Sequence, residues 1–124
     1  MSTKSVRNIG DLMTGDLLSL GPTEPMERAR DMLTASGLHA IPIVEHEEAL
    51  GMVTLADCQG RDAEDALGEV MAGPPILIDV EASVANAAEM MRSNYVHHLI
   101  VTEGDRRTVV GLLSSYDLLA MLVE

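Results

Sequence analysis

Two stretches of this 124-residue chain share the spacing Gly-x-x-[Ser/Thr]-x-x-Asp: Gly51, Thr54 and Asp57, then Gly111, Ser114 and Asp117. Each stretch ends an apolar run, so its hydroxyl falls where a strand gives way to a helix. A helix opening at Thr54 or Ser114 presents unpaired amide hydrogens and the positive end of its dipole. That end can hold a phosphate, with the hydroxyl adding a hydrogen bond. An aspartate one turn in can accept two hydrogen bonds from a ribose diol. A glycine at Gly51 or Gly111 lets a ligand approach the backbone closely. The same spacing is also that of a capping box, in which hydroxyl and carboxylate serve only the helix's own amides. The two readings are compatible, and both stay open at this stage.

Histidines come next. His39 and His97 each stand just before an apolar run, Ala40-Ile41-Pro42-Ile43-Val44 and Leu99-Ile100-Val101. They can face an anion, or they are simply partly exposed residues at the start of a strand. His98 points to the opposite face from His97 if the segment is extended. His39, His97 and His98 have no spacing that matches a closed zinc motif, so no metal is expected. Cys58 is the single cysteine. It cannot close an internal disulfide, which fits a reducing compartment, and it has no recognisable activating setting. There is no nucleophile elbow, Gly-rich phosphate loop or dinucleotide fingerprint. The chain is therefore read as not an enzyme, with no catalytic residues.

The elements that must position these residues emerge from an internal repeat. At an offset of 58, Met13 falls on Met71, Ala29 on Ala87, Met32 on Met90 and His39 on His97; Gly51 falls on Gly111 at an offset of 60. The two-residue difference lies in a charged turn, Glu45–Ala49 against Glu103–Thr108, where insertions are cheap. Each half opens with a short helical turn carrying a Met, Ile9–Met13 and Leu67–Met71. An extended stretch follows, Leu17–Leu20 and Ile76–Val80. Next comes an amphipathic helix with apolar positions Met26, Ala29, Met32 and Leu33, or Val84, Ala87, Ala88 and Met91. Pro25 suits the first helix start and Ser83 caps the second. Gly37 is expected to stop the first helix. Two apolar runs joined by a polar turn then make an antiparallel hairpin, and a last helix opens at Thr54 or Ser114. Each half thus reads β-α-β-β-α, over residues 9–60 and 67–124, with a short acidic linker at Gln59–Ala66. The fold class is α/β (α+β). A unit of roughly 60 residues buries only about 60% of its unfolded surface, so a shared core is expected.

Composition narrows the partners. The net charge is −12, from 20 acidic and eight basic residues, and the only aromatics are Tyr95 and Tyr116. Nucleic acid would be repelled and would find few stacking platforms, and an anionic membrane is disfavoured in the same way. Arg28, Arg30, Arg92, Arg106 and Arg107 are read as solvated. The acidic stretches Glu45–Glu48 and Asp62–Asp65 are read as solvated turns. Met1–Asn8 lacks an apolar signal core, and no apolar run is long enough to span a bilayer. A soluble, cytoplasmic protein is expected.

The order Met-Thr-Gly, amphipathic helix, Gly-Leu-His-Ala-Ile-Pro-Ile-Val, turn, Gly-Met-Val-Thr-Leu-Ala-Asp resembles a CBS domain. The second half repeats it as Val-Met-Ala-Gly, helix, Val-His-His-Leu-Ile-Val, turn, Gly-Leu-Leu-Ser-Ser-Tyr-Asp. The resemblance covers nearly the whole chain from Ile9 and implies a stand-alone tandem pair, or Bateman module. It implies a pseudo-twofold axis between the repeats, a cleft between them, and homodimers that form a flat disc. It also implies that Thr54, Asp57, Ser114 and Asp117 bind ribose and phosphate of an adenine nucleotide, or of an S-adenosyl compound. His39 and His97 resemble the phosphate-facing residues of the γ subunits of AMP-activated kinases, where His-Arg precedes Leu-Val-Val. No cofactor is obligatory. The partner regulated by such a sensor would be a separate protein acting in trans; the alternative is a ligand-free module for dimerisation or scaffolding. The repeats are not equivalent: Pro42 and Val44 become Ile100 and Thr102. Pro22-Thr23 becomes Val80-Glu81, where the family lines its base pocket, so the two sites are expected to differ.

Overall fold

In this computed structural model, residues 6–15, 19–36 and 38–122 are described. The expected helix stop at Gly37 lies outside them, as do Leu17 and Leu18 of the first extended stretch. The helices are α1 (Met26–Ser36), α2 (Leu55–Cys58), α3 (Leu67–Val70), α4 (Val84–Asn94) and α5 (Ser115–Leu119), with 3₁₀ turns at Ile9–Asp11 and Ala120–Leu122. The strands are β1 (Ile41–Glu45), β2 (Glu48–Val53), β3 (Leu77–Asp79), β4 (His98–Glu103) and β5 (Thr108–Ser114). This is a mixed α+β chain, as its repeats imply.

The chain packs as two compact units: a first, Leu18–Pro75, and a second, Ile76–Glu124 together with Met1–Leu17. In the first, β1 and β2 form an antiparallel hairpin, and Leu20 joins β1 by a parallel bridge to Ile43. In the second, β3 lies parallel to β4, which is antiparallel to β5. The hairpins match closely. Both carry an irregularity at the same repeat position, Ile43/Val44 and Val101/Thr102. Their tips account for the two-residue insertion. Glu45 pairs with Glu48 across His46-Glu47, whereas Glu103 pairs with Thr108 across Gly104–Arg107. The shorter tip holds His46 and Glu47 at φ 54° and 68°, the left-handed pair of a two-residue turn.

Each unit has its own apolar cluster. In the first, Met26, Ala29 and Leu33 of α1 meet Ile41, Ile43, Val53, Cys58, Leu67 and Val70. In the second, Ala87 and Met91 of α4 meet Ile9, Ile78, Leu99, Val101 and Leu113. The helical stripe read from sequence is the buried face in both. Ala88 is the exception: it is exposed, one residue past the buried Ala87.

The packing units differ from the sequence repeats in one respect. The leading Met segment of each repeat joins the other repeat's hairpin. Thr14 N–H donates to Leu112 O at 2.9 Å and accepts back at 3.2 Å through its carbonyl, while Ala72 and Met52 exchange the same pair at 2.9 and 3.0 Å. An edge hairpin has unpaired amides to satisfy, and these segments pair with part of that edge. The acidic linker is likewise tied down, with Met26 N–H on Asp65 O at 2.7 Å and Glu27 N–H on Ala63 O at 2.9 Å.

Candidate functional site

Thr54 and Ser114 both lie at the last step of a hairpin, in extended backbone, and each caps the helix that follows. Asp57 N–H donates to Thr54 Oγ1 at 3.4 Å, and Asp117 N–H to Ser114 Oγ at 3.1 Å. In return Thr54 N–H and Ser114 N–H each donate to an aspartate Oδ2 at 2.8 Å. Thr54 adds its own hydroxyl to Asp57 Oδ2 at 3.0 Å. Both capping boxes are therefore formed. All the carboxylate bonds of the boxes fall on Oδ2, which leaves Oδ1 of Asp57 and Asp117 as the acceptors free of capping duty. All four side chains are half-buried.

In the second unit His97 is drawn to this helix start. Its carbonyl accepts from Ser115 N–H at 2.8 Å, and its ring Nδ1 lies 3.3 Å from Ser115 Oγ. His98 opens β4 directly across from Ser114 in register, and cross-strand partners share a sheet face. The alternation that set His98 apart from His97 thus places it beside Ser114. In the first unit His39 is exposed in the bend before β1, and Leu55, 48% exposed, occupies the repeat position of Ser115. No hydroxyl stands there to orient the imidazole.

A recess of about 410 Å³ lies beside His97, lined by Met91, Arg92, Tyr95, Val96, His97 and Ser115. Tyr95 ends α4 in the left-handed conformation, φ 55° and ψ 43°, and is 93% exposed. Sequence reasoning missed Arg92, Tyr95 and Ser115. The available signal was an aromatic in the repeat position of Gly37, in a chain with only two aromatics. A second recess, about 330 Å³, lies toward the β4–β5 tip among Leu77, Ile78, Asp79, Thr102, Gly104 and Arg107.

Gly51 and Gly111 are close-approach positions for the chain itself. A Cβ on Gly51 would sit 2.7 Å from Met71 Sδ and 2.8 Å from Ala72 O; one on Gly111 would sit 2.5 Å from Met13 Sδ and 2.9 Å from Thr14 O. Real Cβ atoms do not tolerate such distances to a fixed backbone oxygen, so the glycines admit the Met segments.

Cys58 is buried, and that burial pushes its thiol up; the Asp57 carboxylate adds to the rise, while Arg30 opposes it. Such a thiol is poorly ionised and a weak nucleophile. Arg92 pairs with Glu89 on the surface of α4, and Arg28 of α1 pairs with Glu24 in the turn before it. Among the described residues, no three His, Cys, Asp or Glu side chains gather closely enough to hold a metal, and no helix is long and apolar enough to cross a membrane.

Known proteins share this architecture. A CBS domain protein of Bacillus subtilis, YhcV, is 26% identical over 117 residues, 90% of this chain and 82% of its own. Other curated relatives, among them an inosine-5'-monophosphate dehydrogenase of Thermoplasma acidophilum, are matched over 24% of their length. The CBS domain pair of MJ0100, solved with 5'-methylthioadenosine and S-adenosyl-L-methionine, superposes with a TM-score of 0.84 at 20% identity, covering 95% of this chain and 97% of that one. CBSX2 solved with AMP gives 0.82 at 16% identity, over 95% and 97%. The CBS domain model matches residues 9–61 and again 67–124. With two copies of that model accounting for nearly all of its length, the chain belongs to the CBS domain family.

Proposed function

We propose that this chain is a non-catalytic regulatory module that senses an adenosine-type ligand: AMP, ADP, ATP or an S-adenosyl compound. The ribose diol is accepted by Asp57 or Asp117, and the hydroxyl of Thr54 or Ser114 and the imidazole of His39 or His97 serve the ligand's 5' side. The observation that carries this reading is the gathering of Ser114, Asp117, His97 and Ser115 at one helix start. A capping box alone accounts for Ser114 and Asp117, but it gives no reason for an exposed imidazole held against Ser115. The AMP in CBSX2 and the S-adenosyl-L-methionine with MJ0100 support the ligand class.

Ligand binding becomes regulation when two arrangements of the module differ in affinity for it and for a partner protein, which this module would control in trans. The proposal includes a homodimer in the cytoplasm. Tyr116, Leu119, Met121 and Leu122 leave large apolar surface exposed at 77, 53, 44 and 79%, and exposed apolar patches of this kind mark association surfaces. The same observation favours the second reading, a ligand-free dimerisation module.

Thermal melting with AMP, ATP, 5'-methylthioadenosine and S-adenosylmethionine separates the two. Free ligand at 100 times Kd stabilises by about 2.7 kcal/mol, a rise of several degrees in Tm. A rise with any of these compounds supports the sensor. No rise with any of them at millimolar concentration leaves the ligand-free reading.

A further inference from the structure

We infer that the recess toward the β4–β5 tip binds a free aliphatic α-amino acid, its ammonium on Asp79 and Thr102 and its carboxylate on Arg107. This site is independent of the nucleotide reading. β4 runs from His98, paired with Ser114, to Glu103, paired with Thr108 at the tip. The recess therefore lies at the far end of the hairpin from the capping box. None of Ser114, Asp117, His97 or Ser115 lines it.

A carboxylate, a hydroxyl and a guanidinium share these 330 Å³ with the apolar Leu77 and Ile78. Asp79 and Thr102 are register partners on β3 and β4. Asp79 Oδ2 accepts from Glu81 N–H at 2.9 Å, which leaves Oδ1 for a ligand. Thr102 is the one buried polar side chain among the described residues, 4% exposed, and its hydroxyl has no hydrogen-bond partner among them. No fully enclosed side-chain oxygen or nitrogen there lacks a partner, so this hydroxyl opens into the recess it lines. A hydroxyl buried short of a partner costs stability. The sheet gives no reason for one, since the first unit has Val44 at this position. Arg107 and Asp79 do not close on each other either. Among the described residues the ion pairs are Arg28 with Glu24 and Arg92 with Glu89.

Such a lining selects against a single charge. An anion would meet Asp79 and a chain of net charge −12; a cation would meet Arg107. A zwitterion sets one charge on each and, being neutral overall, is indifferent to the general field. The guanidinium fork fits a carboxylate through two parallel hydrogen bonds. An ammonium presents three donors, which Asp79 Oδ1 and Thr102 Oγ1 accept. The volume is at the small end of ligand pockets, as a molecule of this size requires, and Leu77 and Ile78 face its aliphatic part. The first unit has no equivalent: Gly21 and Val44 stand at the repeat positions of Asp79 and Thr102, and its tip is His46-Glu47. The longer tip of the second unit supplies the cation. Gly104 and Arg107 take φ of 80° and 54°, and Arg107 N–H closes the turn on Gly104 O at 3.1 Å. Glycine adopts such angles freely, whereas an arginine there carries a cost.

The test is an amide-resolved nuclear magnetic resonance titration of the intact chain with three probes. These are L-leucine, isocaproate, which lacks the ammonium, and isoamylamine, which lacks the carboxylate. L-leucine should shift the amides of Asp79, Thr102, Gly104 and Arg107 and leave those of α5, Ser115–Leu119, in place. Isocaproate and isoamylamine should each bind about tenfold more weakly, having lost one charge-assisted contact. Asp79→Asn and Arg107→Gln should weaken L-leucine by about the same factor. Thr102→Val, which copies the first unit, should weaken it about threefold without lowering Tm, since the hydroxyl has no partner to lose. The assignment is overturned if L-leucine at millimolar concentration shifts none of these amides. It is equally overturned if isocaproate or isoamylamine binds as tightly as L-leucine, or if the three variants bind L-leucine as the native chain does. None of these outcomes bears on the nucleotide reading. Superimposable spectra away from the recess exclude misfolding as the cause of a loss.

Discussion

The two helix starts are built alike and furnished differently. Thr54 and Ser114 close the same capping box on Asp57 and Asp117, and Gly51 and Gly111 admit the same Met segment with nearly the same clearances. Around them the residues diverge: Leu55 against Ser115, Thr34 against Arg92, a two-residue hairpin tip against a four-residue one. What is duplicated is what each unit needs to fold. What differs lies on residues that neither the capping boxes nor the Met-segment contacts require. An internal repeat therefore separates the residues both units share for folding from those that set the units apart.

The largest effects should fall on the duplicated parts, and equally. Gly51→Ala and Gly111→Ala each force a Cβ against a backbone carbonyl at 2.8 or 2.9 Å. Overpacking of this kind costs about 1–3 kcal/mol, a fall in Tm on the order of 10 °C. Gly15→Ala, with nothing within 4 Å of the added methyl, should be neutral or slightly stabilising. A melt of either hairpin variant indistinguishable from that of Gly15→Ala would break the equivalence of the two Met-segment contacts.

The carboxylates come next. Asp57→Ala and Asp117→Ala each remove one half of a capping box and should cost about 1 kcal/mol of stability. Their stability losses should match, but their ligand losses should not. Under the proposed function, Asp117→Ala is expected to abolish AMP binding at the start of α5, where His97 is held 3.3 Å from Ser115 beside the carboxylate's helix. Asp57→Ala should reduce AMP binding less. Titrations with AMP in which the two variants lose equally would mean that the asymmetry of the surroundings has no bearing on the ligand.

Much of this architecture is legible in the sequence because its signals are local. The stripes of α1 and α4 follow helical spacing. The hairpins follow from two apolar runs around a charged turn, and the caps at Ser83, Thr54 and Ser114 from hydroxyls placed before them. The exchange of Met segments is not local. Alignment of the repeats puts Met13 with the residues that follow it, whereas Ile9 and Thr14 pair with Ala82 and Leu112. Nothing in the spacing marks a partner so distant in the chain. The chain contacts at Gly51 and Gly111 are hidden for the same reason: the residue that needs the space belongs to the other repeat. At the site, the capping residues were readable by motif, while Arg92, Tyr95 and Ser115 required knowing that the end of α4 lies beside the start of α5.

The smallest effect concerns Glu89, whose carboxyl is held below the ordinary glutamate range by hydrogen bonds from Arg92 and, to a lesser degree, from Ser93. A carboxyl lowered in the folded state contributes stability above its unfolded pKa and loses it as pH falls through the folded value. On a fully exposed pair that contribution is slight. Nuclear magnetic resonance titration of the Glu89 carboxyl in Arg92→Gln should move its midpoint upward, and Ser93→Ala should move it less. The first unit has Asp31 and Thr34 at these positions, so the carboxylate at the repeat position of Glu89 has no guanidinium at the repeat position of Arg92. If the midpoint does not move in Arg92→Gln, the pair is not formed in solution, and the difference between the surfaces of α1 and α4 is one of composition alone.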